Sequence, residues 1–210
     1  DFEEAEIDDE CLERLMKKLS GFTELKSLTL NLSQFQYSSD SFSESFDKFA
    51  ANLINFRQLE LLDLRFVGCA LVTNFSFAEL SNSLLCMSGL RVLVLDFENC
   101  DNLGDGAVVS IAVTLGAMKN LRQISLYMDG WHITDRGFIQ LGKELANLPE
   151  LTSIKLSVEE CPDITSPAVL VIVKLFSGLT NLKELFLNLK NCPRIDEACI
   201  SQIKIGRAHV

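Results

Sequence analysis

The side chains able to do chemistry in this 210-residue chain are seven cysteines, two histidines and a surplus of carboxylates. Cys69 and Cys100 stand 31 residues apart, as do Cys161 and Cys192, and no Cys-x-x-Cys pair occurs. A zinc site or a nucleophilic thiol needs ligands or a base that converge on it. Cysteines repeated at one place in successive units instead predict a packing role, as buried free thiols, with a disulfide or a zinc site as the alternative. Cys11 and Cys199 share a second repeated place, which leaves Cys86 alone. His132 follows Trp131 in a turn and reads as a packing or surface residue. The segment Asp101–Gly106 has two glycines but returns elsewhere without them, so it is no phosphate loop. No carboxylate pair lies isolated in an apolar setting. The chain therefore reads as non-catalytic, with no cofactor and no metal.

What positions these residues is a phrase that occurs six times. Leu25-Lys-Ser-Leu28-Thr-Leu30-Asn-Leu32 returns with first leucines at Leu59, Leu90, Leu121, Leu151 and Leu182, at steps of 34, 31, 31, 30 and 31 residues. A fixed period of that size means a stack of like supersecondary units. Positions 4, 6 and 8 of each phrase are apolar and the residues between them mostly polar, which predicts a strand with one buried face.

Downstream, each unit carries a small residue: Cys11, Ser45, Ser76, Ala107, Gly137, Ala168 or Cys199. After each of the first six, the next opening leucine follows at 14 residues, and offsets 4, 8 and 11 are apolar in every unit. Offsets 4 and 8 stripe one face of a helix, and offset 11 extends the core. Asp9, Ser43, Asn74, Asp105, Asp135, Ser166 and Glu197, two residues before the small one, are expected N-cap positions. Gly21, Gly116 and Gly178 are expected to turn left-handed at helix ends.

Leucines at positions 1, 4 and 6 with a further apolar residue at 8 resemble the strand motif of leucine-rich repeats. The long period with a helix in each unit is similar to the ribonuclease-inhibitor-like branch, and Ile133 to Gly137 resembles a turn of large unicellular-eukaryote arrays. The asparagine usual in that family after the strand is absent; Phe35, Cys69, Cys100, Trp131, Cys161 and Cys192 stand in the turn instead. The resemblance implies an α/β fold, a right-handed leucine-rich-repeat solenoid with a parallel β-sheet on the concave face and helices on the convex face. It covers residues 1–204, read as a fragment of six strands cut at both ends. Residues 205–210 read as the translated end of a sequencing adapter, and Arg207 breaks the apolar pattern there.

The net charge of −10 argues against nucleic-acid binding, and no apolar run is long enough for a membrane span. Reduced thiols point to a cytoplasmic location, against two faint glycosylation sequons at Asn31 and Asn74. The acidic run of residues 1–10 reads as a solvated approach to a helix.

What remains is surface. Between the strand leucines, columns of changing side chains face the concave side. Arg65, Asp96, Tyr127, Lys155 and Phe186 form the expected centre, with Glu98, Asp129 and Glu159 as an acidic ladder favouring a basic partner. On the helices, offsets 3 and 7 are expected to face outward, and only Val171 and Leu175 make that pair apolar, a candidate second contact. The expected function is a protein–protein interaction scaffold. The alternative is a regulatory or substrate-recognition segment of a larger enzyme: by family resemblance a kinase, a ubiquitin ligase or a GTPase-activating protein. A concave face that only keeps the array in solution is the plain alternative to both.

Overall fold

The structure, a computed structural model, describes residues 9–33 and 42–206. The acidic residues 1–8, Phe35 in the long first turn and residues 207–210 lie outside the described residues. Helices and strands alternate throughout: α1 (Asp9–Leu19), β1 (Ser27–Asn31), α2 (Phe42–Asn52), β2 (Leu61–Arg65), α3 (Asn74–Leu84), β3 (Val92–Asp96) and α4 (Asp105–Ala117). Then follow β4 (Gln123–Tyr127), α5 (Asp135–Ala146), β5 (Ser153–Ser157), α6 (Ser166–Phe176), β6 (Glu184–Asn188) and α7 (Glu197–Gly206). The six strands form one parallel sheet in the order β1 to β6. Each helix packs on its sequence neighbours along the opposite side. This is an open α/β leucine-rich-repeat solenoid, with the sheet concave and the helices convex.

The alternating pattern works as read. Leu62, Leu64 and Phe66, and their counterparts Leu93, Leu95 and Phe97 or Ile154, Leu156 and Val158, are buried against the helix stripe, where Leu80, Leu84, Ile111 and Leu115 are buried in turn. Each such side chain contributes about 1.5–3 kcal/mol before entropy is subtracted. An aromatic seam threads several repeats: Phe66 stacks on Phe97 at 5.3 Å, and Phe77 meets Trp131 edge-on at 5.2 Å. The void beneath Trp131, about 10 Å³, holds one water molecule at most. Offset 11 is buried at Phe56, Met87 and Leu148, whereas Phe22 is exposed. Phe22 sits at the first end of the stack, where no earlier strand among the described residues flanks it.

The turn that follows each strand is explained by its donors. Trp131 Nε1 donates to the Phe97 carbonyl at 2.8 Å; Cys100, Cys161 and Cys192 thiols donate to the carbonyls of Phe66, Met128 and Val158 at 3.1–3.5 Å. In each case the acceptor is the last apolar strand position of the preceding repeat. Thiol and indole thus satisfy the same buried carbonyl. The residue just before this donor turns left-handed in every described repeat: Gly68, Asn99, Gly130, Glu160 and Asn191, with φ between 57° and 76°. Gly21, Gly116 and Gly178 do not; the ends of α1 and α6 close with tight bonds such as Phe22 N–H to the Leu19 carbonyl at 2.9 Å and Gly178 N–H to the Leu175 carbonyl at 3.2 Å.

The caps fall one residue earlier than expected. Thr73, Gly104, Thr134 and Thr165 occupy the N-cap positions of α3 to α6. The next residue reaches across to the following repeat instead. Asp105 accepts from the Thr134 N–H and hydroxyl at 2.8 and 2.6 Å, and Asp135 does the same for Thr165 at 2.8 and 2.7 Å. Gly104 also pairs with His132 as a parallel bridge, and a Cβ there would lie 2.6 Å from the His132 carbonyl oxygen. Offset 7 also departs from expectation. Ser83 and Thr114 are only 2% and 4% exposed and donate to the Ala50 and Ser81 carbonyls of the preceding helix. Parallel stacking of the helices turns that flank into an interface in α3 and α4, while Lys18 and Asn52 at the same offset stay exposed.

Candidate functional site

Strand register decides which concave side chains meet. Arg65 pairs with Asp96 and Asp96 with Tyr127, so three expected site residues form a continuous row across β2, β3 and β4. Lys155 pairs with Phe186 across β5 and β6, two residues nearer the strand starts. Phe186 is 46% exposed, and Tyr127 is half-buried.

Several charges have partners that the sequence reading did not name. Arg65 Nε and Nη2 both donate to Asp63, each at 3.0 Å, in a two-pronged contact along one strand. That contact holds the guanidinium in its charged form, reinforced by Asp96. Opposite charges two residues apart on one strand face were the available signal. Lys155 Nζ lies 3.1 Å from Glu184, whose carboxyl sits below its ordinary range through the Ser153 hydroxyl and then Lys155.

The acidic ladder is not uniform. Glu159 accepts from Lys190 Nζ at 2.7 Å and from the side-chain amides of Asn188 and Asn191 at 3.1 and 3.3 Å. Lys190 and Asn188 hold its carboxyl below the ordinary range. Glu98 behaves in the opposite way. Partial burial, then the charges of Asp96 and Asp129 and a shared hydrogen bond with Asp129, push its carboxyl up to about 7. Burial also raises Asp96, against the help of the Glu98 N–H and Arg65. The Asp129 carboxylate meanwhile accepts the Glu159 N–H at 2.7 Å. At the ends of β3 and β4, Glu98 and Asp129 thus form a hydrogen-bonded carboxyl pair without a cation partner among the described residues, while Glu159 is closed off by its own repeat neighbours.

The thiol column is buried and poor in reactive thiolate. Burial pushes Cys69 and Cys161 up to about 12 and raises Cys100 and Cys192. His132 is exposed on its turn. Among the described residues, no group of three or more His, Cys, Asp or Glu is arranged to hold a metal ion. No helix among them is long and apolar enough to cross a membrane. On the convex side Val171 is 39% exposed, but Leu175 is half-buried and packs against the core. The second patch is thus centred on Val171.

No protein-family model and no curated protein matches this chain. Solved structures match it in fold. One is described as leiomodin-1 actin-binding site 2: 16% identity, 79% of this chain and 91% of that chain covered, TM-score 0.53. Another is the C-terminal domain of Caenorhabditis elegans tropomodulin: 8% identity, 78% and 89% covered, TM-score 0.55. At such identities the likeness lies in backbone architecture, which both structures share with this open α/β solenoid.

Proposed function

We propose that this solenoid is a protein-binding module, not a catalyst, and that its concave sheet face takes the partner. The observation that carries the reading is the unbroken row Arg65–Asp96–Tyr127 across β2 to β4, with an exposed Phe186 two strands further along the same sheet. A rigid parallel frame holds these columns at constant spacing while their chemistry changes from cationic to acidic to aromatic, as recognition of an irregular protein surface requires. The Glu98–Asp129 carboxyl pair, which no cation among the described residues neutralises, favours a basic segment of that partner. The leiomodin-1 domain of similar fold is, by its description, an actin-binding site, so a solenoid of this kind serves a protein ligand there. The long period with a helix in each unit supports placement in the ribonuclease-inhibitor-like branch. The buried free thiols support a reducing compartment such as the cytoplasm.

Affinity capture with the wild-type chain and the Tyr127→Ala/Phe186→Ala variant tests this reading. Loss of two central aromatic contacts is expected to weaken a specific partner by roughly 30-fold or more. Equal retention by both proteins would exclude the concave face as the docking surface. For the convex patch, Val171→Lys alone is the informative change, because a Leu175 substitution also disturbs the core. Solubility and partner capture unchanged by Val171→Lys would remove that patch from consideration.

A further inference from the structure

Two rows of side chains border the sheet, one at each end of the strands. At the strand starts, main-chain bonds such as Arg91 N–H to the Glu60 carbonyl and Arg122 N–H to the Arg91 carbonyl, both 2.8 Å, set the second-position residues side by side. That row reads Lys26, Glu60, Arg91, Arg122, Thr152, Lys183. At the strand ends, the N–H groups of Gly68, Asn99 and Gly130 donate to the carbonyls of Glu98, Asp129 and Glu159 at 2.8 Å. Those three acidic residues are therefore stacked in the same way.

Each row is compensated by an ion pair at one end only. Lys26 pairs with Glu60 at 3.5 Å, and Lys190 with Glu159 at 2.7 Å. Arg122 reaches Glu150 only at 3.8 Å. Among the described residues, no ion pair involves Arg91, Lys183, Glu98 or Asp129. The third repeat thus carries a cation without an ion pair, Arg91, at its strand start beside the loosely paired Arg122 of the fourth, and the two repeats carry the hydrogen-bonded carboxyl pair Glu98–Asp129 at their strand ends. Helix dipoles account for Asp105, Asp135, Lys143 and Lys174 at helix termini. They do not account for residues that border the sheet.

We propose that these rows are the two halves of one interface, formed when a second copy of this chain lies alongside the first. The Arg91–Arg122 edge of one copy then faces the Glu98–Asp129 edge of the other. Opposite charge is one argument, and pitch is the other. Both rows take their spacing from the same sheet, about 4.8 Å per strand, so two copies set Arg91 and Arg122 opposite the Glu98–Asp129 carboxyl pair over consecutive repeats. Beside Arg122 a shallow recess of about 240 Å³, lined also by Glu150, Thr152, Asn181 and Lys183, leaves room for the neighbour's side chains. The net charge of −10 opposes approach, but beyond a Debye length of about 10 Å at 0.1 M salt it is screened, and the facing rows dominate at contact. The contact is heterologous: each copy keeps one edge free, and the assembly grows as a row. It shares the acidic ladder with the concave-face reading but does not use Tyr127 or Phe186.

Sedimentation velocity of the whole chain at about 50 mM and about 500 mM salt tests the proposal. Concentration-dependent association is expected at low salt, weaker by roughly tenfold or more at high salt. Arg91→Glu/Arg122→Glu, with both edges acidic, and Glu98→Lys/Asp129→Lys, with both edges basic, should each stay monomeric alone and associate when mixed. Wild-type association unchanged by Tyr127→Ala/Phe186→Ala separates this interface from the partner site. A wild type that is monomeric at low salt would overturn the proposal. So would a mixture of the two swapped variants, each with wild-type circular dichroism, that fails to associate.

Discussion

The turn column and the concave columns lie a few residues apart in the same repeats, and they treat sequence change in opposite ways. In the turn, cysteine gives way to tryptophan at Trp131, yet the side chain still donates to the same strand carbonyl of the preceding repeat. On the concave face, Arg65, Asp96 and Tyr127 occupy equivalent places in neighbouring strands, and each is engaged differently. Arg65 is bound to Asp63, Asp96 lies between Arg65 and other carboxylates, and Tyr127 presents a ring. Where identity varies but the bond persists, the position is scaffold. Where identity varies and no common bond exists, the position is free to meet something outside the chain.

Trp131→Ala is the strongest test of that division. Losing a buried indole and the donor for the Phe97 carbonyl should cost about 3–5 kcal/mol in chemical denaturation. Phe186→Ala on the concave face should stay within about 0.5 kcal/mol. Comparable losses would erase the distinction between the two regions. Gly104→Ala comes next, because its new methyl would meet the His132 carbonyl at 2.6 Å. A loss of about 1–3 kcal/mol is expected from the forced separation of two turns, and an unchanged midpoint would mean that the bridge between them is soft.

Glu160→Gly sharpens the turn side in the stabilising direction. Glu160 is held at φ 59° where four sister repeats use glycine or asparagine, so the change should raise stability by about 1 kcal/mol. Glu98→Gln has the smallest effect and probes the concave side through pH. The folded chain holds the Glu98 proton up to about 7, against the ordinary 4.5. Its stabilising contribution is therefore complete below the ordinary value and is lost as pH rises through about 7. Thermal melts from acid to neutral pH should show wild type losing ground to the variant, and parallel curves would mean that Glu98 and Asp129 do not share a proton.

The strands, their register and the buried leucines were legible because a period of two leaves one face for the core. The caps were misplaced by one residue because two polar residues stand in tandem, as in Thr134-Asp135, and either can cap in isolation. Only the neighbouring repeat, which takes Asp135 for Thr165, decides between them. Offset 7 failed for the same reason: an isolated helix shows Ser83 to solvent, and the stacked one buries it. The left-handed residue before each turn donor has a signal in the sequence, a glycine or asparagine at Gly68, Asn99, Gly130 and Asn191, which Glu160 breaks. On the concave face the columns were legible and their pairings were not. Whether Glu159 is open or closed depends on where Lys190 and two asparagine amides settle.

The buried side-chain bonds between repeats have a direction. Cys100, Trp131, Cys161, Cys192, Ser83 and Thr114 all donate backward, to a carbonyl of the repeat made before them. A chain growing from its amino end thus leaves each finished repeat with acceptors awaiting the next one, and every arriving repeat is templated by its predecessor. Pulled from the carboxyl end, the same order runs in reverse. Each repeat peeled away strips donors from the one beneath it, so force should unravel the stack in steps of one repeat.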